Sequence, residues 1–152
     1  NVSRLYRIYI NEIMIKEEIL TICEKYGIEN YTINLDGSID VEGSVYLFNM
    51  NLDKLPLKFN KVGGYFGCSN NNLTSLEGCP KEVGDTFYCS SNKLTSLKGG
   101  PEKVYDMFYC GGNPLESLDG YNVNYDMLDC DNKDGLILKE KRKEKFIQIH
   151  NL

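Results

Sequence analysis

The stretch FGCSNNNLTSLEGCP, residues 66–80, decides the fold, because close copies of it follow at regular intervals. It returns as FYCSSNKLTSLKGGP at residues 87–101 and as FYCGGNPLESLDGY at residues 108–121. Aligned on their first cysteines, the copies share the pattern F-x-C-x-x-N-x-L-x-x-L at a step of 21 residues. A unit this short cannot bury its own apolar side, so neighbouring units must stack. The pattern therefore predicts a solenoid.

Each slot of the repeat has a physical role. Phe and Cys lie two residues apart in a short strand and so face the core together. The Asn is expected to turn the chain out of the strand. Its side chain can bind the backbone of the neighbouring turn, which predicts a ladder of asparagines through the stack. The two Leu fill the next side of the coil, and Gly78, Gly99 and Gly120 allow a tight bend. The complete slots are Phe66, Cys68, Asn71, Leu73 and Leu76, then Phe87, Cys89, Asn92, Leu94 and Leu97, then Phe108, Cys110, Asn113, Leu115 and Leu118.

Incomplete copies flank the complete ones. The upstream copy has Val45 and Leu47 at the Phe and Cys slots, with Met50 at the Asn slot. The downstream copy has Leu128 and Cys130, with Lys133 at the Asn slot. A valine also recurs between repeats, at Val62, Val83, Val104 and Val123.

This pattern resembles the leucine-rich repeat, whose signature is L-x-x-L-x-L-x-x-N-x-L. NNLTSLEGCPKEV, residues 71–83, is similar to the short bacterial type with repeats of about 21 residues. It also resembles uncharacterised phage and bacterial proteins that carry reiterated LTSLEGCPKEVGG units. The resemblance implies an α/β solenoid with short parallel strands over residues 45–133. It implies little about function, because such scaffolds bind many unrelated partners.

The flanking segments predict caps on the solenoid. Residues 1–44 should form a helix at 11–26, begun by Asn11 and ended by Gly27, and then a hairpin turning at Asp36-Gly37. Residues 134–152 should form a helix after Gly135 that docks on the last repeat. The apolar stripe of the first helix would be Ile10, Ile13, Met14, Ile19, Cys23 and Tyr26, and the docking residues of the last would be Leu136, Leu138, Phe146, Ile147 and Ile149.

The six cysteines favour packing over chemistry. Four of them occupy the repeat slot, there is no C-x-x-C pair, and the one histidine is His150 near the end of the sequence. The alternative is a buried metal or redox ladder, but thiols in an apolar wall keep a high pKa and stay inert. Catalysis by Cys130 with His150 is disfavoured too, because the repeat register explains Cys130. We expect no enzyme activity, no metal and no cofactor.

A calcium site is the second metal hypothesis. Asp36, Ser38, Asp40 and Glu42 alternate as calcium ligands can. An EF-hand loop would also need a Gly at its sixth position and a Glu at its twelfth, where this sequence has Val41 and Leu47. The stretch is better explained as the polar side of a hairpin.

Net charge and hydropathy limit the setting. The net charge of −5 disfavours direct nucleic-acid binding, which needs a basic stripe. The charged run 139–145 mixes both signs, as solvated helix faces do. No apolar run is long enough for a membrane span, and the first residues lack a signal peptide's pattern. We expect a cytoplasmic monomer, in the host cytoplasm if a phage encodes it.

The outward strand positions carry the functional prediction. They alternate with Phe and Cys, and the expected central column is Phe48, Gly67, Tyr88, Tyr109 and Asp129. Exposed aromatic and Met side chains are typical of protein interfaces, although the rings could instead cover one another as cross-strand pairs. The predicted partner-binding residues are Phe48, Tyr65, Tyr88, Met107, Tyr109, Met127, Asp129 and Asp131.

These observations predict a protein–protein interaction module that binds a partner protein on its concave, aromatic-rich strand face. The resemblance to phage repeat proteins raises a sharper hypothesis, an inhibitor that blocks or recruits a host enzyme of anti-phage defence. The acidic surface would then engage a basic nucleic-acid channel in that enzyme. The alternative is a structural or assembly component without a regulatory target.

Overall fold

The computed structural model describes residues 2–121 and 124–151. The chain forms a parallel β-solenoid of about four turns with a helix at each end, as the repeat predicts. The elements in chain order are α1 (Val2–Tyr26), β1 (Tyr31–Ile33), β2 (Ile39–Val41), β3 (Val45–Tyr46), β4 (Phe59–Val62), β5 (Phe66–Gly67), β6 (Glu82–Val83), β7 (Phe87–Tyr88), β8 (Lys103–Val104), β9 (Phe108–Tyr109), β10 (Leu128–Asp129) and α2 (Lys133–His150).

Each turn of the solenoid contributes one short strand to each of two sheets. The aromatic sheet has the order β10-β9-β7-β5-β3 and contains the Phe and Cys slots. The valine sheet has the order β1-β2-β4-β6-β8, and it aligns Val62, Val83 and Val104 in register. The valines recur visibly in the sequence, but the second sheet that they form was not among the predictions. Val123, the last of that series, lies outside the described residues.

The core is a column of identical side chains from successive turns. Phe66, Phe87 and Phe108 are buried, with ring centroids 5.7 Å and 4.8 Å apart along the stack. The repeat cysteines and most repeat leucines are buried beside them. Burying one aromatic or leucine side chain contributes about 1.5–3 kcal/mol, so stacking supplies what one turn lacks. The inward orientation of the Phe and Cys slots is confirmed.

The predicted asparagine ladder is present, and every rung reaches back one turn. Asn92 Oδ1 accepts a hydrogen bond from the backbone N–H of Leu73 at 3.0 Å. Asn92 Nδ2 donates to the carbonyl of Cys68 in the preceding turn at 3.0 Å and to that of Cys89 at 3.1 Å. Asn71 and Asn113 repeat this arrangement. The first turn has no preceding turn for an asparagine to bind, which explains why Met50 can occupy its Asn slot.

The sharp corner of each turn lies two residues after the Cys slot, not at the asparagine. These corner residues have left-handed backbones with φ near +50 to +70°, a region that favours Gly and Asn. The prediction that the ladder asparagine turns the chain is therefore wrong, because that residue holds a corner made by its neighbour. The corner residues are Asn49, Asn70, Ser91, Gly112 and Asn132.

The hairpin is confirmed, and its second strand already belongs to the solenoid. β1 pairs with β2 in antiparallel fashion, and β2 pairs in parallel with β4. Asp36 accepts hydrogen bonds from Ser38 and forms an ion pair with Lys58 at 2.7 Å. Lys58 and Ser38 together hold the pKa of Asp36 far below its ordinary value. Asp40 accepts from the amide of Asn60 at 2.7 Å, so the candidate calcium ligands serve a polar network.

Helix α1 begins at Val2, so the predicted start at Asn11 is wrong. Asn is only mildly unfavourable inside a helix, and extending a formed helix is far easier than starting one. Of the predicted stripe only Ile19 and Cys23 are buried, while Ile13 and Met14 are exposed. The first half of α1 therefore extends beyond the solenoid body.

Helix α2 begins at Lys133, and only its first turns contact the solenoid. Leu136 is buried, but the other four predicted docking residues, Leu138, Phe146, Ile147 and Ile149, are exposed. The predicted apolar docking is thus wrong for most of the helix. Polar contacts hold it instead: Lys139 Nζ donates to the carbonyl of Glu116 at 2.7 Å, and Lys143 pairs with Asp119 at 2.9 Å.

Within the described part of the chain, neither long helix is apolar enough to cross a bilayer.

Removing one rung of the ladder should destabilise the whole stack. Asn92→Ala leaves the N–H of Leu73 and the carbonyls of Cys68 and Cys89 without their side-chain partner in a buried corner. We expect the free energy of unfolding to fall by about 3 kcal/mol, measured by urea denaturation. The control is Asn72→Ala, whose amide makes an exposed contact to Asn51, and it should change stability by less than about 0.5 kcal/mol. Equal effects of the two variants would contradict the ladder.

The ion pair between Asp119 and Lys143 should make the docking of α2 sensitive to acid. Lys143 lowers the pKa of Asp119, so the pair stabilises docking above the ordinary carboxyl pKa and is lost as pH falls through the lower folded-state value. We expect α2 amide protection factors to fall, by less than about fivefold because the pair is exposed, between about pH 5 and about pH 3. Asp119→Asn should show the lower protection at both pH values. If the protection factors of Asp119→Asn fall with pH as far as those of the wild type, the effect comes from other carboxylates.

Candidate functional site

The outer face of the aromatic sheet carries the candidate site. Strand pairing places Tyr46 beside Gly67, Gly67 beside Tyr88, and Tyr88 beside Tyr109. The central column therefore begins at Tyr46, and the prediction that Phe48 begins it is wrong by two residues. The residue that follows the Phe slot of the upstream repeat is Tyr46, whereas Phe48 follows its Cys slot.

Phe48 nevertheless reaches the central column through its side chain. Its ring lies over Gly67, where any Cβ would collide with the Phe48 ring carbons. From that position the ring contacts Tyr88 edge-on, with centroids 6.0 Å apart. The glycine at 67 is thus required by close packing on the outer face.

The rings of this face form one connected group, called here the aromatic cluster: Tyr46, Phe48, Tyr65, Tyr88 and Tyr109. Tyr46 meets Tyr65 edge-on at 4.8 Å, Tyr65 meets Tyr88 at 6.0 Å, and Tyr88 stacks on Tyr109 at 5.2 Å. The cross-strand pairing considered as an alternative is therefore present. Tyr88 and Tyr109 stay half-buried all the same, so the cluster is ordered by its own contacts and open to a partner.

Carboxylates continue this face beyond the rings. Asp129 follows Tyr109 in the central column, and Asp131 lies exposed two residues further on. Asp131 Oδ2 accepts the backbone N–H of Gly112 at 2.6 Å, and Asp106 accepts the hydroxyl of Thr86 at 3.1 Å. Among the described residues, no Lys, Arg or His side chain forms an ion pair with these three aspartates. The negative charge of this face is therefore uncompensated.

The valine sheet provides a comparison within the same molecule. Its outer positions place Asp40, Lys61, Glu82 and Lys103 side by side in successive strands, with alternating charge. Lys61 and Glu82 form an ion pair at 3.3 Å, and Tyr105 donates to Glu82 at 3.3 Å. Its charges are balanced within the sheet, whereas the aromatic sheet exposes clustered rings and unpaired carboxylates.

The eight predicted site residues all reach the surface of the aromatic-sheet side. Asp129 and Asp131 are exposed, and the six rings and methionines are half-buried: Phe48, Tyr65, Tyr88, Met107, Tyr109 and Met127. The prediction omitted Tyr46, which is 54 % exposed, and also Asp106. The alignment that places Val45 in the Phe slot already makes Tyr46 an outward residue, so the sequence did contain this signal.

The cysteines lie in the interior and are all free thiols. Burial, followed by the neighbouring thiols, raises the pKa of Cys79 and Cys89, and burial also raises the pKa of Cys110. His150 lies at the exposed end of α2, stacked on Phe146. Over the described ranges, no cluster of three or more His, Cys, Asp or Glu side chains could hold a metal ion.

The chain matches no protein-family model, no curated protein and no solved structure. Its function must therefore be argued from the geometry of its surfaces.

The thiols should be unreactive in the native state. Because thiolate is the reactive form and burial raises the pKa of Cys89 and Cys110, we expect no cysteine to react with DTNB before the chain unfolds. The measurement is the thiol titre with and without denaturant. One thiol reacting within seconds in the folded protein would show an accessible thiolate and reopen the redox interpretation.

Proposed function

We propose that this protein is a protein–protein interaction module that binds a partner through the outer face of the aromatic sheet. The supporting observation is the difference between the two sheets. Interface cores are enriched in Tyr, Phe and Met, and the aromatic sheet has them where the valine sheet has a balanced charge ladder.

The binding mechanism would be rigid-body docking on rings that are already ordered. Tyr88 is held by Tyr65, Phe48 and Tyr109, and its backbone belongs to a strand paired on both sides. Little side-chain entropy is then lost on association, which favours affinity for a given buried area. Buried aromatic anchors of this kind supply most of the binding energy in measured interfaces.

The partner surface should be basic next to the patch that covers the rings. Within residues 2–121 and 124–151, Asp129, Asp131 and Asp106 form no ion pair, so a positively charged partner would be steered toward this face. This charge supports the sharper hypothesis of a phage-encoded inhibitor that acts in the host cytoplasm by covering the nucleic-acid channel of a defence enzyme. The mechanism would be steric and would need no catalytic group.

We also propose that the solenoid is of the leucine-rich-repeat type. The buried Leu73–Leu76 and Leu94–Leu97 pairs and the asparagine ladder support this assignment. Proteins of this class present strand faces to their partners, which agrees with the choice of the aromatic sheet.

A structural or assembly component is the second candidate. It is favoured by the exposed apolar side chains of both end helices, among them Leu5, Tyr9 and Phe146. Such side chains suit contacts between subunits of a larger particle.

The test compares two faces with the same chemical change. Tyr88→Ala/Tyr109→Ala should lose a captured host partner, with affinity falling by at least about 30-fold for the loss of one anchor. The matched control is Tyr105→Ala on the valine sheet, which is 57 % exposed and should bind as the wild type does. All variants are checked by thermal unfolding.

The charge hypothesis is tested on the same partner. Asp129→Asn/Asp131→Asn should slow association and reduce the dependence of the rate on salt concentration, with dissociation little changed. A partner that binds both double variants as it binds the wild type would exclude this face. Recovery of the chain only in large particles would favour the assembly role.

A further inference from the structure

Helix α1 extends from the solenoid with most of its apolar surface uncovered. Of its 25 residues, only Ile19 and Cys23 are buried. Residues 2–9 are all exposed, and an isolated helix of this length is marginally stable in water. The exposed large apolar side chains of α1 are Val2, Leu5, Tyr6, Ile8, Tyr9, Ile13, Met14, Ile15 and Leu20.

The spacing of these side chains fits another helix better than a flat surface. Val2, Tyr6, Tyr9, Ile13 and Leu20 follow one another at intervals of four, three, four and seven residues. This is the heptad spacing of a coiled-coil seam, with Lys16 at the one polar seam position. Ile19 lies off this line, whereas Cys23 continues it three residues after Leu20 and is buried against the body, so the exposed seam ends at Leu20. The positions from Val2 to Leu20 can therefore pair while the helix stays docked.

The charges of α1 are arranged against its own dipole. The basic Arg4 and Arg7 lie in its first two turns, without any acidic residue, although the amino end of a helix carries partial positive charge. Glu12, Glu17, Glu18 and Glu24 follow in the rest of the helix, where Lys16 and Lys25 only partly offset them. A second copy running in the opposite direction would bring its acidic half to this basic half, and so correct both mismatches.

We infer that α1 pairs with α1 of a second copy as an antiparallel, twofold-symmetric helix dimer. The contact is isologous, so one seam and one charge gradient serve both partners. Covering the seam and its flanks would remove roughly 1,000 Å² of surface in total, near the lower limit for a specific interface. The sequence-based expectation of a monomer is replaced by a concentration-dependent dimer. This inference is independent of the partner proposed for the aromatic sheet.

The oligomeric state tests the seam. Sedimentation equilibrium of the full chain from about 1 to about 200 µM should show a monomer–dimer equilibrium, because interfaces near this size are often weak. Tyr9→Glu/Ile13→Glu should be monomeric over this range, with a dissociation constant at least tenfold higher. Tyr9→Ala/Ile13→Ala, which keeps strong helix propensity, should also weaken the dimer. Asn11→Glu/Thr21→Glu adds the same charge off the seam and should dimerise as the wild type does.

Cross-linking tests the orientation. The six native cysteines are buried, so Val2→Cys and Leu20→Cys, at the two ends of the seam, each add one accessible thiol. These positions are about 27 Å apart along one helix, and they meet between copies only if the helices are antiparallel. A mixture of the two variants should therefore form the mixed disulfide faster than either homodisulfide.

Several outcomes would overturn the inference. A wild-type chain that stays monomeric at all concentrations excludes the dimer, and binding of that monomer to vesicles of phosphatidylcholine and phosphatidylglycerol would assign the face to a membrane surface. A dimer unaffected by Tyr9→Glu/Ile13→Glu excludes the seam. Preferred homodisulfides exclude the antiparallel arrangement.

Discussion

The structure depends on one interaction, the binding of each ladder asparagine to the backbone of the turn before it. A solenoid corner turns polar backbone groups toward the interior, where an unpaired group is strongly destabilising. Asn92 meets this requirement with one acceptor and one amino group, and it does so for two turns at once. Because the side chain reaches back one turn, insertion or deletion near a ladder slot would separate the amide from its partners. The 21-residue step is therefore maintained by hydrogen-bond geometry as well as by the stacked core.

Stacking identical turns leaves few positions free to vary. The Phe, Cys and Leu slots are buried in the core, and the recurring valines pack in the second sheet. The corner positions require residues that adopt a left-handed backbone. What remains is the outer face of each sheet. On the valine sheet those positions alternate in charge and offset one another. On the aromatic sheet the same freedom is used for contacting rings and unpaired carboxylates. The difference between the faces, more than the presence of tyrosines, is what supports a binding role.

The two ends of the solenoid are capped in different ways, and neither cap depends on apolar burial alone. The hairpin extends the valine sheet by one antiparallel strand, β1, and the three residues of this edge strand offer little room for further pairing. The last turn lacks an asparagine at Lys133 and continues directly into α2, which lies on the solenoid mainly through Lys139 and Lys143. Both helices then carry apolar side chains past the body. If α1 pairs as inferred, each assembly would present two aromatic sheets, and a partner with two sites would gain avidity from the second one.

The sequence by itself determined the interior of the repeat. Phe66 and Cys68 had to face inward, Asn71 had to reach the neighbouring turn, and Asp36-Gly37 had to turn a hairpin, because period, hydrogen-bonding capacity and turn chemistry are local properties. A strand of two residues is too short to show an alternating pattern in the sequence. The second sheet became visible only through the pairing of strands that lie 21 residues apart. The same is true of the contact that rests the Phe48 ring on Gly67 of the next turn. The exposure of Phe146 likewise depends on where the body ends, which no local pattern encodes. Tertiary structure decided these features because each depends on which turn lies next to which.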